Sequence, residues 1–449
     1  MIDVLLAARP LAAALVGVVV LLSLILRFRM NAFPALLITA LLSAILGGLG
    51  VQETFEVIKQ GVGGTLGFIA VVIGLGALYG AILEATGGLQ ALAAWLSASG
   101  RPGSMPWWFA ALGLIAAIPV FFDVALIIFA PLIFSVARQI KRPAMALGLP
   151  LIAGLAAAHA FIPPTPGPIA VAELLGAELG LVIAFGLIAA IPAVAVGGPI
   201  YAAWLERRQL LGQTQQQETT PAPEVAKDGV ASRVLLLILL PLVLILLGAV
   251  WPRLFGDGMV TDVVALVGHP FVALLVACGA TLAALRPRTS EARERVHAAI
   301  QRSLEPTGTV ILVTGAGGAF KQVLVETGGG QQLADMVLGV GFTPLLAAYV
   351  IAVLVRITQG SATVAMITAA GLTAPITEAA GLGAAHLALV VIAIAAGATT
   401  TAHVNDSGFW LVSRLFALTE KETLRLWTVS TTLISVTGLL VVLLLYAIV

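Results

Sequence analysis

A succession of long apolar runs constrains the fold of this chain more than any motif does. A helix that crosses a bilayer needs about 20 apolar residues, and 60% of the 449 residues are hydrophobic whereas 10% are charged. The sequence therefore predicts an all-α polytopic membrane protein and excludes a soluble globular domain. The apolar runs lie at about 5 to 26, 32 to 50, 63 to 83, 107 to 137, 143 to 180, 181 to 204, 234 to 252, 260 to 285, 306 to 325, 342 to 378, 384 to 418 and 424 to 447.

A polar stretch divides these runs into two sets. Residues 206 to 233 are rich in Gln, Thr, Pro and charge, which is typical of a solvated linker. Shifting the first set by 241 residues superimposes several glycines, and it places Thr86-Gly87-Gly88 on Thr327-Gly328-Gly329. We therefore predict a duplication, with a first membrane repeat at 1–205, a cytoplasmic linker at 206–233 and a second membrane repeat at 234–449.

The distribution of Lys and Arg predicts the orientation. If the linker is cytoplasmic and the runs 107 to 137 and 342 to 378 are hairpins that enter and leave on one side, most of the 23 Lys and Arg residues face the cytoplasm. Both termini then face the opposite side, and the second repeat is inverted relative to the first. The predicted fold is thus two inverted-topology repeats with re-entrant hairpins and broken helices, as in many secondary transporters.

Charge and motif content exclude several classes of function. With 23 basic against 22 acidic residues the net charge is +1, so no nucleic-acid partner is expected. No Walker motif and no HExxH motif is present, so we expect no enzyme activity, no cofactor and no metal. An intramembrane hydrolase that uses His159, His403 and Asp406 as metal ligands is the disfavoured alternative from the enzyme class. The single cysteine, Cys278, cannot form an internal disulfide.

Four interruptions of the apolar runs form two repeat-related pairs. Polar backbone at membrane depth is tolerated only inside the protein or along a wet cavity. One pair consists of the hairpin segments 119–123 and 356–363, and the other consists of breaks at 159–168, where four prolines prevent a continuous helix, and at 399–408. Each break creates a new helix N-terminus, and two opposed N-termini favour a small anion. The alternative is that Pro and Gly are ordinary kinks in membrane helices.

Polar side chains at these interruptions are the candidate site residues. An arginine can bind a carboxylate through two parallel hydrogen bonds, and neutral polar groups suit hydroxyls. The predicted substrate-binding residues are Arg356, Gln359, Ser361, Thr363, Thr165, Asn405 and Ser407, and the predicted proton-coupling residues are Asp123, Asp406, His403 and His159.

Each charged or titratable candidate also has a structural interpretation. Arg356 could form an internal salt bridge with an acid such as Asp123. Asp406 could be the N-cap of a helix. His159 and His403 could be hydrogen-bonded structural groups rather than proton carriers.

Three further charged residues lie in or beside the apolar runs. Glu84 and Glu326 end their runs near the Thr-Gly-Gly turns and are interpreted as interfacial anchors. Lys321 could pair with Glu326 or extend to the interface, and we place it outside the site.

Five segments carry a resemblance to a known family: GLGALYGAILEATGGLQALA (74 to 93), FFDVALIIFAPLIFSVAR (121 to 138), HAFIPPTPGPIAVAELLGAELG (159 to 180), RITQGSATVAMITAAGLTAPI (356 to 376) and HVNDSGFWLVSRLF (403 to 416). In these segments, and over essentially its whole length, the chain resembles the gluconate permease family of proton-coupled symporters, within the wider ion transporter superfamily. The resemblance implies uptake of gluconate or a related sugar acid with protons, in a bacterial inner membrane. It also implies elevator-like alternating access, in which a mobile domain with hairpins and broken helices moves relative to a scaffold.

The implied partners are a small carboxylate substrate, protons and the lipid bilayer, with a homodimer left open. The resemblance does not fix the substrate, because some relatives resemble carriers of other small hydroxy or amino acids such as D-serine. An anion exchanger or channel is the alternative within transport, since inverted repeats alone do not exclude it. Sodium coupling also stays open, because carbonyl groups of a broken helix can coordinate a cation.

Overall fold

A computed structural model describes residues 2–99, 103–211, 230–287, 289–339 and 342–449 of the chain. In this part of the chain every regular element is a helix, as the apolar runs predict. The first half contains α1 (Ile2–Leu26), α2 (Ala32–Gly47), α3 (Val51–Ala85), α4 (Gly88–Ser99), α5 (Met105–Ala116), α6 (Phe122–Gln139), α7 (Met145–Phe161), α8 (Pro166–Leu175), α9 (Leu179–Ala195), a π-helical turn (Val196–Ile200) and α10 (Tyr201–Arg207). Most of the predicted linker, residues 212–229, lies outside the described residues.

The second half begins at Val230 and also consists of helices. It contains α11 (Val230–Phe255), α12 (Met259–Gly268), α13 (Pro270–Ala284), α14 (Ser290–Glu326), α15 (Gly329–Gly339), α16 (Pro344–Gln359), α17 (Ala362–Ala379), α18 (Ala384–Thr399), α19 (Ser407–Leu415), α20 (Glu420–Thr423), a π-helical turn (Leu424–Thr428) and α21 (Val429–Tyr446).

The two halves share their helix order from α3 and α14 onward. The ends of α3 and α14, at Ala85 and Glu326, are separated by the offset that superimposes the Thr-Gly-Gly turns. The starts of α8 and α19, at Pro166 and Ser407, are separated by the same offset. The common order supports the duplication, and the inverted orientation of the repeats remains a prediction.

Seven of the described helical segments are long and apolar enough to cross a membrane, and the bent pair α12 and α13 adds an eighth if it counts as one span. The chain is therefore a multi-pass membrane protein. The apolar run 260 to 285 predicts one straight span, whereas α12 and α13 meet at 70°. Pro270 explains the bend, because a proline disfavours helical backbone in the residue before it, and His269 is extended with φ −62° and ψ 131°.

The long helices α3 and α14 pack along each other. They have 35 and 37 residues and begin well before their apolar runs. A helix of this length extends about 50 Å, so each projects beyond a hydrocarbon core of about 30 Å. The two helices cross at Gly61 and Gly318, where a Cβ on Gly61 would meet the Gly318 carbonyl oxygen at 2.6 Å. The missing side chains thus allow the two backbones to touch.

All four predicted interruptions occur. The breaks are at 117–121 between α5 and α6, 162–165 between α7 and α8, 360–361 between α16 and α17, and 400–406 between α18 and α19. The broken span formed by α7 and α8 is almost wholly buried, and α8 packs against α17 from the other half. The unpaired backbone groups at the break between α7 and α8 therefore face protein rather than lipid.

Contacts at one end of the bundle group several basic residues that the predicted topology places in the cytoplasm. Arg142, after α6, forms a salt bridge with Glu206 in α10, with Nε donating to Oε1 at 2.9 Å. Arg425 Nη2 donates to the carbonyl oxygen of Leu210 at 2.6 Å. The end of α6, the end of α10 and the start of the second π-helical turn therefore lie at the same face.

Candidate functional site

Residues at three of the four interruptions, and the end of α7 before the fourth, line one cavity of about 360 Å³, which is within the size range of small-molecule sites. Helices α6, α17 and α19 begin at the cavity, and α7, α16 and α18 end there. Thr309 of α14, Trp427 of the second π-helical turn and Thr431 of α21 complete the lining. Polar side chains from both halves of the chain thus share one space.

Arg356, in the last turn of α16, is buried, with 4% of its surface exposed. Its Nη2 donates to Asp406 Oδ2 at 2.6 Å and its Nε to the carbonyl oxygen of Thr400 at 3.3 Å. Its Nη1 donates to the carbonyl oxygen of Gly360. A guanidinium has five N–H donors, so two remain beyond these three bonds. The Arg356 guanidinium is thus held in place and its charge is balanced by Asp406, and it retains two N–H donors for a ligand.

Asp406 serves both this ion pair and the helix that follows. Its Oδ1 accepts a hydrogen bond from the Gly408 amide at 2.9 Å, so Asp406 is the N-cap of α19. The acid suggested above as a partner of Arg356 was Asp123, and the structure pairs Arg356 with Asp406 instead. The carboxylate of Asp406 therefore both caps α19 and pairs with Arg356, through different oxygens.

Gly360 explains why Asp406 is the partner. Its φ is +76°, in the left-handed region, and a Cβ at this position would collide with the carbonyl oxygen of Asn405. Glycine tolerates both conditions because it has no side chain. The close approach lets the segment 400–406 pass across the end of α16, which carries the Asp406 carboxylate to Arg356.

Asp123 is the second residue of α6 and lines the same cavity. It interacts electrostatically with Asp406, so two acids and one arginine share the site. The preceding residue, Phe122, packs against Trp427 with ring centroids 5.4 Å apart. Asp123 is thus an acid with aromatic neighbours, facing the ion pair from the other half of the chain.

The helix N-termini at the cavity are not equivalent. Ser361 caps α17 and Asp406 caps α19 with their side chains. The first turn of α8 contains Pro166 and Pro168, which have no N–H group. In contrast, α6 begins at Phe122 without a side-chain cap, so its first amides have no intrahelical partner. The two N-termini expected to favour an anion, those of α8 and α19, are therefore poorer in free donors than α6.

The structure brings most of the predicted site residues to this cavity: Asp123, His159, Arg356, Ser361, Thr363, Asp406 and Ser407. Thr165 lines a neighbouring cavity of about 20 Å³ together with His159, and its hydroxyl donates to the Ile162 carbonyl oxygen at 2.7 Å. His403 Nε2 and Asn405 Nδ2 both donate to the carbonyl oxygen of Ile357, at 2.8 and 2.9 Å. Gln359, at the end of α16, does not line the cavity.

Several lining residues were not singled out by the sequence. Thr399 ends α18 and belongs to an interruption that the sequence does mark. Thr309, Trp427 and Thr431 also line the cavity, but they belong to continuous apolar helices or to a π-helical turn. No break or motif marks these three positions, so only the packing of α14 and α21 reveals them.

Among the described residues, no group of three His, Cys, Asp or Glu side chains is placed to hold a metal ion. His159 and Asp406 line the cavity, whereas His403 donates to the Ile357 carbonyl. The three residues of the hydrolase alternative therefore do not form a ligand set.

Interrupted helices that meet around a polar cavity, inside a multi-pass helical protein, define a membrane transport protein. The chain belongs to the GntP family of permeases, because the family model described as GntP family permease matches residues 9–449. It is 36% identical over 428 residues to the low-affinity gluconate transporter of Escherichia coli strain K12, covering 95% of each chain. It is 35% identical over 435 residues to the Gnt-II system L-idonate transporter of the same strain, covering 97% of this chain and 98% of the relative.

A solved structure has a similar fold. The YdaH transporter of Alcanivorax borkumensis, described as having an unusual topology, matches with a TM-score of 0.65 over 89% of each chain, at 18% identity. Permeases and transporters, not enzymes, are thus the relatives of this chain.

Proposed function

We propose that the protein carries gluconate or a related small sugar acid, together with protons, across a bacterial inner membrane into the cell. The observation that carries this proposal is the Arg356–Asp406 ion pair in one cavity with Asp123. One fixed cation offers donors to a carboxylate, and a second acid offers a place for a proton. The names of the relatives, which specify gluconate and L-idonate, support the substrate class.

Charge balance couples the anion to a proton in this site. The charges of Arg356 and Asp406 cancel in the ion pair, so a bound carboxylate next to ionised Asp123 would leave two uncompensated negative charges. A proton on Asp123 removes one of these charges. The first amides of α6, which have no intrahelical partner, stabilise the remaining negative charge. Substrate and proton therefore each strengthen the binding of the other.

Neutral polar side chains around the ion pair suit a polyhydroxy acid. A site that hydrogen-bonds substrate hydroxyls rejects analogues that lack them, because its own polar groups are then left unpaired. This favours a sugar acid over a simple carboxylate. The hydroxyl-bearing residues of the lining are Thr309, Ser361, Thr363, Thr399, Ser407 and Thr431.

Movement of the interrupted helices accounts for access from both sides. The breaks, the ion pair and Asp123 belong to helices other than α3 and α14, and these two long helices pack along each other. We infer an elevator-like cycle in which the unit that carries the breaks moves against these two long helices. Such movement opens a central cavity alternately to the two sides.

Reconstitution into proteoliposomes tests the proposal. We expect labelled gluconate to accumulate when the outside is made acidic, and a protonophore to abolish this accumulation. Counterflow with gluconate, L-idonate and D-serine then ranks the substrates. Accumulation driven by a sodium gradient alone, or exchange that does not respond to any cation gradient, would overturn proton coupling and favour a sodium symporter or an exchanger.

A further inference from the structure

A second cavity, of about 210 Å³, lies between α3, α14 and the turn that joins α5 to α6. Small residues such as Gly80 and Ala299 are part of its lining. Its polar lining consists of Glu84, Arg302 and Ser303. These side chains lie at the end of α3 and in the first half of α14, on the side that the predicted topology places in the cytoplasm.

Phe121 separates this cavity from the one that holds Asp123. Its side chain lines both cavities, and it also lines the cavity of about 20 Å³ beside His159. A space of that size holds roughly one water molecule. Asp123 lines the first cavity and its neighbour Val124 lines the second. The start of α6 thus forms the partition between the two cavities.

Glu84 is a half-buried acid in an unfavourable position. It is the penultimate residue of α3, where the helix dipole disfavours a negative charge. Within the described residues its carboxylate makes no hydrogen bond or ion pair, and burying an unpaired carboxylate is costly. Arg302 acts on it electrostatically, while Arg302 Nε itself donates to the carbonyl oxygen of Ala298 at 3.3 Å.

Glu326 shows how the same residue type behaves as a simple anchor. Glu326 is the last residue of α14, much as Glu84 is the penultimate residue of α3, and Glu326 is exposed. Its carboxylate accepts a hydrogen bond from Gln322 Nε2 at 3.0 Å. Glu326 is therefore solvated and hydrogen-bonded, as expected of an interfacial anchor. Glu84 has neither of these properties.

Among the described residues, few charged or titratable groups lie around this end of α3. From α14, Arg302 acts on Glu84, and from α6, Asp123 lies beyond Phe121. From α13, Cys278 lies against the Leu75 carbonyl, further along α3. The helix α4 has no charged residue, and Arg233 of α11 is exposed.

We propose that Glu84 is the proton-exchange residue of the second cavity. A proton leaves the Asp123 carboxyl group, passes through water beside Phe121 and binds the Glu84 carboxylate, and Glu84 then releases it to the solvent. Only O–H bonds break and form, and no other reactant is needed. This inference rests on the proton coupling proposed above, and it assigns the path between the site and the cytoplasm.

Proteoliposomes that contain Glu84→Gln, with Glu326→Gln as the matched control, test the inference. Gluconate accumulation driven by a proton gradient is expected to slow by about a hundredfold in Glu84→Gln, the lower end of the range for removing a proton-transfer group. Counterflow at equal pH, which needs no net proton release, is expected to stay within about twofold of the unmodified protein. Glu84→Asp keeps a titratable group and should restore most of the driven rate.

Three results would overturn the role of Glu84. They are unchanged driven accumulation in Glu84→Gln, an equal loss of counterflow and driven uptake, or no recovery in Glu84→Asp. If the unmodified protein shows no proton dependence at all, the proposed function fails instead, and the two failures are thereby distinguished.

Discussion

Asp406 binds Arg356 and caps α19 with the same carboxylate: Oδ2 lies 2.6 Å from Arg356 Nη2, and Oδ1 lies 2.9 Å from the Gly408 amide nitrogen. The two charged residues are 50 positions apart in the sequence. One acid therefore ties the last turn of α16 to the first turn of α19. In the proposed function, a substrate carboxylate binds the remaining donors of Arg356 or displaces Asp406, and displacement would link substrate binding to the position of α19.

Two substitutions of Arg356 should weaken substrate binding to different extents. Arg356→Lys keeps the charge but loses the planar set of donors, and we expect gluconate affinity to fall by about 1 to 3 kcal/mol, the scale of a charge-assisted hydrogen bond. Arg356→Ala should weaken binding further, and it also leaves Asp406 as an uncompensated charge. Direct binding measurements on purified protein, with gluconate as ligand, compare the two variants.

The double variant Arg356→Ala with Asp406→Asn distinguishes binding of the substrate by Arg356 from neutralisation of Asp406 by Arg356. It removes both charges, so it should regain the stability that Arg356→Ala loses, which is about 3 to 5 kcal/mol for breaking a buried pair. Gluconate binding should nevertheless remain weak. Affinity like that of the unmodified protein would mean that Arg356 only neutralises an acid and does not contact the substrate.

The stability of the protein should differ between the variants Asp406→Asn and Asp406→Ala. Asparagine is as good an N-cap as aspartate, so Asp406→Asn removes the charge and keeps the cap of α19. Asp406→Ala removes both and should be less stable than Asp406→Asn by about 1 kcal/mol. Thermal unfolding in detergent measures the difference. Equal stability of the two variants would show that the Gly408 hydrogen bond adds nothing to the stability of α19.

Asp123 should matter more for proton coupling than Asp406. Asp123 makes no ion pair within the described residues, whereas Asp406 is paired with Arg356. We expect Asp123→Asn to abolish accumulation driven by a proton gradient while counterflow persists. If Asp123→Asn accumulates gluconate normally and Asp406→Asn does not, the order of the two acids is reversed.

The linker should face the cytoplasm, because the loops on that side carry the excess of Lys and Arg. In a protein that combines Cys278→Ala with Gln216→Cys, the new thiol is expected to resist a membrane-impermeant reagent in intact cells and to react after the membrane is opened. The variant Cys278→Ala alone measures background labelling. Reaction of the Gln216→Cys thiol in intact cells would contradict the predicted topology.

The sequence by itself determined the class of fold and the place of the candidate site. Apolar runs long enough to span a bilayer predict the helices, because transfer into lipid depends on local composition. The prolines at 163, 164, 166 and 168 and the polar segment 399–408 predict the breaks, because neither can continue a lipid-facing helix. Most of the polar residues at these breaks line the cavity, since a break inside a membrane protein has to face protein or water.

Only the tertiary structure decided which polar groups meet. Arg356 pairs with Asp406 rather than with Asp123, because the bare backbone of Gly360 admits the segment 400–406 against the end of α16. Thr309, Trp427 and Thr431 reach the cavity through the packing of continuous helices, and Glu84 lies in a second cavity through the approach of α3 to α14. Such contacts join residues that are far apart in the sequence, and local hydrophobicity and helix-breaking tendency carry no information about these pairings.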